Sequence, residues 1–205
     1  MKLESGKYYH VYNRGNNSEF IFLEDSDYFH FIELCKGYLP SAFNILAYCL
    51  MKNHFHLCIQ VREECELPFI DIRNKNSINN KWKIFLENDL EERYRKKIEP
   101  NSMIRFLFNS YAKWFNIKYS RTGSLFEKNF KRKIIEEDEY LKELIVYINT
   151  NPIKHSIVNK PELYEWTSYK EIINEQYALI NKQLVLDQFG SLENFKFVHE
   201  NKSYK

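Results

Sequence analysis

Short apolar runs closed by turn residues alternate along this chain with longer stretches of helical period, and the two periods separate strands from helices. Tyr8 to Asn13 is an aromatic and β-branched run ending at Asn13-Arg14-Gly15-Asn16-Asn17, which predicts a strand and then a turn. Asp25 is placed to cap a helix over about Ser26–Tyr38, with Phe29, Phe31 and Ile32 as its apolar surface and Pro40 beyond its end. Asn44–Met51 and His54–Val61 are apolar runs separated only by Lys52-Asn53, the spacing of a β-hairpin. After Pro100, Ile104, Leu107, Phe108, Tyr111 and Phe115 recur at helical intervals. Asn129–Ile135 predicts another strand. Glu136-Glu137-Asp138-Glu139 then puts negative charge where a helix N-terminus favours it, and Leu141, Leu144, Ile145 and Ile148 form that helix's buried stripe. Pro152 is expected to end it, because the residue before a proline is pushed out of helical geometry.

The order β-α-β-β-α-β-α predicts an α+β fold with a ferredoxin-like (RRM-like) core, followed by an added helix and a tail. One domain over residues 1–152 is expected, with a polar insertion at about 62–100 and an irregular, partly helical extension at 153–205. Within the insertion, about Lys81–Lys97 reads as partial helix with a solvated charged face. A chain of 205 residues buries a core without staples. Sixteen Phe and 15 Tyr exceed what a core alone needs, so some aromatic surface is left for other work. A net charge of +2 gives no strong overall field, so any attraction to nucleic acid has to come from a local patch. Cys35, Cys49, Cys58 and Cys65 lack C-x-x-C spacing, which disfavours a zinc ribbon or a dithiol redox centre. The N-terminus carries no signal-peptide h-region and no apolar stretch is long enough to span a bilayer, so a cytoplasmic protein with reduced thiols is expected.

Candidate chemistry begins at His54-Phe55-His56. Side chains two apart on a strand point the same way, so the pair offers two imidazoles to one point, and imidazole is the commonest side-chain metal ligand. Phe55, pointing the other way, anchors the strand in the core. Tyr147 and Asn151 are four apart and lie on the flank of the last predicted core helix, where an amide oxygen could complete a metal site with a phenol one turn away. Tyr111 is the alternative nucleophile, but it sits mid-stripe and Phe115 follows it four residues on. Cys58 shares the phase of the histidine pair and is assigned to packing, since thiolate suits zinc better than a hard cation. His10, His30, His155 and His199 read as ordinary structural or surface histidines.

These constituents together resemble the single-tyrosine HUH transposases, particularly the REP-associated tyrosine transposases. His54-Phe55-His56 is similar to the HUH motif, and Tyr147-Ile148-Asn149-Thr150-Asn151-Pro152-Ile153-Lys154-His155 resembles the helix bearing the catalytic tyrosine. Tyr9-His10-Val11-Tyr12-Asn13-Arg14-Gly15 and Gly123-Ser124-Leu125-Phe126-Glu127-Lys128-Asn129-Phe130-Lys131 also look like that group. The likeness spans roughly residues 5 to 170, and the long polar 62–99 segment departs from it.

The resemblance implies cleavage and rejoining of single-stranded DNA with hairpin or palindromic ends. Tyr147 would be the nucleophile, His54, His56 and Asn151 the ligands of Mg²⁺ or Mn²⁺, and a 5′-phosphotyrosine the intermediate. Cations interleaved with aromatics at Lys128, Lys131, Arg132 and Lys133, with Lys118 and Arg121 nearby, suit phosphate and base contacts; Arg14 and Lys154 are further DNA-binding candidates. Relatives act as monomers or homodimers. Two other readings stand beside this one: a non-catalytic module binding hairpins or single strands on the same scaffold, and a phosphodiesterase that activates water.

Overall fold

The computed structural model describes residues 2–71, 84–85, 91–174 and 179–202. Four strands make the main sheet: β1 (Tyr8–Arg14), β2 (Phe43–Met51), β3 (His54–Val61) and β7 (Lys131–Ile135), in the order β2-β3-β1-β7 and antiparallel throughout. The β2–β3 hairpin closes on the Lys52-Asn53 turn, with Met51 opposite His54. The strand predicted from Asn129 starts instead at Lys131, because Asn129 is left-handed at φ 65° and cannot continue an extended ladder.

Strand alternation sorts the core into two layers. Tyr9, Val11, Phe55, Leu57 and Ile59 face α1 (Asp25–Tyr38) and α2 (Pro100–Lys118), whose Phe31, Ile104, Leu107 and Phe108 pack among them. Phe55 is fully buried there, as its phase requires. Asp25 is the first residue of α1 rather than its cap; Glu24 caps it, in a reciprocal box with Asp27.

On the opposite face lies α3 (Asp138–Asn149), with Leu141, Leu144, Ile145 and Ile148 against Cys58 and Ala47. The tail is more ordered than expected. After a short α4 (Asn151–Lys154), helices α5 (Ser168–Asn174), α6 (Lys182–Phe189) and α7 (Leu192–Glu200) bring Tyr169, Ile172, Phe189 and Phe195 into the same core. The Leu50 amide donates to the Trp166 carbonyl, and the Asn181 amide donates to that of Ile45. These bonds cover β2, one of the sheet's two outer strands, and so occupy groups that would otherwise pair with another chain.

The 62–100 segment holds strands β4 (Phe69–Asp71), β5 (Ile84–Phe85) and β6 (Arg95–Lys97), ordered β5-β4-β6. The helix expected over about Lys81–Lys97 is therefore not formed where the chain is described: residues 84–85 are strand, and Glu92–Tyr94 is a single 3₁₀ turn leading into β6. The rest of that expectation lies outside the described residues. Among the described residues, no helix is long and apolar enough to cross a membrane.

Candidate active site

Register brings the sheet's polar side chains to one place. His54 and His56 lie on the α3 face of β3, and β1 sets Arg14 opposite His54 and Tyr12 opposite His56. His10, opposite Cys58, continues the same row, while β7 adds Lys131 opposite Tyr12 and Lys133 opposite His10. Above them α3 presents Tyr147, half-buried, its ring centre 5.8 Å from that of His56 and 6.3 Å from that of His10. His54, His56, Tyr147, Tyr12 and His155 line a cleft of about 600 Å³. Arg14, Lys52 and Lys131 supply its positive charge, and Glu127 its negative.

The imidazoles are oriented by their neighbours. His54 Nδ1 is 2.7 Å from Asn53 Oδ1, an acceptor, so Nδ1 carries the proton and the Nε2 lone pair stays free. His56 Nδ1 is 2.9 Å from His10 Nε2, and both rings are nearly buried at 8% and 9% exposure. When His56 donates across that bond, its Nε2 is free in the same way. His10 was read from sequence as an ordinary histidine; in the structure it is buried and is the hydrogen-bond partner of His56. The alternation of β1 set His10 in phase with Tyr12 and Arg14, but only the pairing of β1 with β3 makes it a neighbour of the pair.

Asn151 does not share a helix with Tyr147. Thr150, at φ −100° and ψ 5°, ends α3, and Asn151 opens α4 with Pro152 in its first turn, where a missing N–H costs nothing. Pro152 thus starts a new turn rather than merely stopping the old one. The Asn151 side chain is fully buried and lies near enough to His54 to favour its protonated form, yet neither Oδ1 nor Nδ2 makes a well-formed hydrogen bond. An unpaired buried amide costs roughly 1–3 kcal/mol. A cation accepting Oδ1 would remove part of that cost. Among the described residues no three His, Cys, Asp or Glu side chains are arranged to hold a metal by themselves, so an ion on the histidine pair would need a further donor, and this amide is one. Two neutral imidazoles and an amide oxygen fit a divalent cation.

Burial keeps the histidines neutral. It pushes His56 down to about 3, with His10 and His54 adding repulsion, and His54 down to about 4, with His155 and Arg14 adding to the effect. His10 is lowered to about 4 by burial and then by Lys133. His199, on the buried face of α7, is also lowered to about 4 by burial. Each binds fewer protons folded than unfolded below the ordinary value of 6.5, so the stability it contributes is intact above 6.5 and lost as pH falls toward 4 or 3. The thermal midpoint is accordingly expected to fall steadily between pH 6.5 and 4; a flat profile across that window in calorimetry would contradict the burial of these rings.

The cationic candidates divide. Arg14 and Lys131 reach the cleft, both facing Glu127, at 3.5 and 3.9 Å. Lys154 lies over the Tyr147 ring, 5.2 Å from its centre. Lys133 points along the histidine face but donates to Tyr140 Oη, while Arg132 faces the other way, over Phe130. Lys118 is committed to Asp27 and Glu24 at the start of α1, and Arg121 to Glu19 and Asn116. Neither lines the cleft, and Lys128 does not either. Tyr111 is corrected as a nucleophile: its hydroxyl donates to the Ile21 carbonyl at 2.6 Å, and burial pushes its pKa far above the ordinary phenol range. Cys58 is fully buried among the α3 contacts, so it packs. His30 stacks on Trp114; His155 is exposed, as expected, and it also lines the cleft, 5.6 Å from the His54 ring. Lys52 and Glu127 also line it and were not singled out as site residues from the sequence.

Among solved structures, this architecture matches that of a REP-associated tyrosine transposase bound to a REP hairpin, with a TM-score of 0.54 and 14% identity over 87% of this chain and 86% of the other. The chain has that transposase's fold. A bacterial tRNA(His) guanylyltransferase-like protein in complex with GTP is more distant, with a TM-score of 0.42 and 12% identity over 77% of this chain and 67% of that one. No protein-family model and no curated protein sequence matches the chain. The shared fold says nothing by itself about individual side chains.

Proposed function

We propose that this chain is a metal-dependent endonuclease and strand transferase for single-stranded DNA, built on a ferredoxin-like core and acting through Tyr147. One observation carries the reading: Tyr147 opens onto the same cleft as His54 and His56, and the buried, unpaired Asn151 amide lies beside His54. The hairpin bound to the fold neighbour supports a nucleic-acid ligand of that kind.

Tyr147 Oη attacks the scissile phosphorus, the bond to the 3′ oxygen breaks, and a 5′-phosphotyrosine and a 3′-hydroxyl result. Attack by a hydroxyl on the phosphotyrosine reverses the exchange and joins strands, because the ester is conserved throughout. A divalent cation such as Mg²⁺ or Mn²⁺, held by His54, His56 and Asn151, would polarise the phosphate and offset the developing charge. His10 holds the His56 ring in the orientation that leaves Nε2 free. Arg14, Lys131 and Lys52 neutralise phosphates along the cleft, and Lys154 sits against the attacking ring. All of these groups come from one chain, so the proposal requires no second copy.

The test is incubation with a single strand carrying a hairpin, in Mn²⁺ and in chelator. A protein–DNA adduct that survives denaturant and disappears with chelator is expected, together with a 3′-hydroxyl that a polymerase extends. Cleavage without an adduct would instead assign the attack to water. Tight binding without cleavage would leave a non-catalytic binding module.

A further inference from the structure

The loop from β1 to α1 holds an aromatic ring out of the core beside the cleft. Gly15 cannot be replaced there without disruption, because a Cβ would lie 2.0 Å from the Glu19 carbonyl oxygen. The loop is tied to the hairpin turn that precedes His54: the Ile21 and Phe22 amides both donate to the Lys52 carbonyl, at 2.8 and 3.1 Å, and Gly15 N donates to Asn53 O. Ile21 and Phe22 are buried, whereas Phe20, immediately before them, is 54% exposed. With its next two neighbours anchored, Phe20 has no path into the core. Lys52 Nζ stands 5.9 Å from the centre of the Phe20 ring, and Lys52 also lines the cleft.

We propose that Phe20 is a stacking platform for one unpaired base of the strand that enters the cleft, with Lys52 taking the adjoining phosphate. The proposal rests on the DNA-cleaving reading above and adds a subsite to it. An apolar ring flanked by a cation and continuous with a cationic cleft matches a single-stranded polynucleotide, which alternates π-faces with anionic phosphates. A protein partner would call for a larger contiguous apolar area than one ring. Because the Lys52-Asn53 turn anchors this loop and also starts the strand of His54, the platform is held at a constant distance from the histidine pair. It would fix which nucleotide lies beside the scissile phosphate.

The experiment measures binding of a labelled hairpin bearing unpaired flanking nucleotides, by fluorescence anisotropy in chelator, so that cleavage does not intrude. Each flanking position is also replaced in turn by an abasic site. Phe20→Ala is expected to weaken binding about tenfold, within the range for loss of one stacked base, and Phe20→Trp to preserve it. In the wild-type protein, one abasic position should cause a similar loss, and that position should cost nothing further in Phe20→Ala. Lys52→Met should reduce the slope of log affinity against log salt by about one. If the wild type binds but Phe20→Ala stays within twofold of it, or the abasic penalty persists undiminished, the platform is disproved and the catalytic reading survives. Failure of the wild type to bind any such strand overturns both.

Discussion

Tyr147→Phe is expected to bind single-stranded DNA as the parent does and to form no covalent adduct, a loss on the order of a thousandfold or more in cleavage. The substitution removes one oxygen from a half-buried ring at the cleft and leaves the contacts of that ring with His56, His10 and Lys154 available. Binding and chemistry should therefore separate cleanly. Tyr111→Phe provides the contrast. It deletes a buried hydroxyl that donates to Ile21 O, so it should lower stability by about 1 kcal/mol and leave the adduct intact. If Tyr147→Phe still yielded an adduct, another nucleophile would have to be sought among the hydroxyls of the cleft, beginning with Tyr12, which lines it beside His56.

His10→Leu is expected to weaken Mn²⁺ binding by about 10–100-fold without touching the ion. His10 Nε2 lies 2.9 Å from His56 Nδ1; without an acceptor there, the buried His56 ring loses the bond that fixes its tautomer. His10→Gln offers a carbonyl oxygen to the same N–H and should recover most of the affinity, which a merely space-filling role for His10 would not predict. Free Mn²⁺ counted by electron paramagnetic resonance, with no DNA present, reads this directly. Equal affinities for the Leu and Gln variants would show that the His10–His56 bond does not govern the ligand.

Much of the frame was legible because strand phase and helix stripe are local properties. The His54-Phe55-His56 alternation predicted that Phe55 would turn away from the histidines into the core, and it does. The Ile104-to-Phe115 spacing predicted α2, and the acidic run before Leu141 predicted α3. What escaped the sequence was register. His10 comes beside His56, and Glu127 reaches the cleft, only through the pairing of β1 with β3 and the bridge from Gly15 to Phe126, contacts between residues far apart in the chain. The same limit explains Lys118 and Arg121, which look like free cations until α1 and the loop before it bring carboxylates to them. The spacing of Tyr147 and Asn151 was read as one turn of a single helix; Thr150 breaks that helix, and the amide reaches its buried position on the next one.

One polar chain beneath α3 has a consequence for where a cut strand can go. Asn149, two residues after Tyr147, receives a hydrogen bond from Ser168 Oγ at 2.6 Å and pairs through Nδ2 with His199 Nε2 at 3.2 Å; Ser168 Oγ in turn accepts from the Tyr48 amide of β2. The tyrosine helix is thus bolted to its own sheet by its own C-terminal helices. A strand esterified to Tyr147 would stay over the cleft in which it was cut, with the freed end beside it. Exchange of that helix with a second copy would first require α5 and α7 to let go.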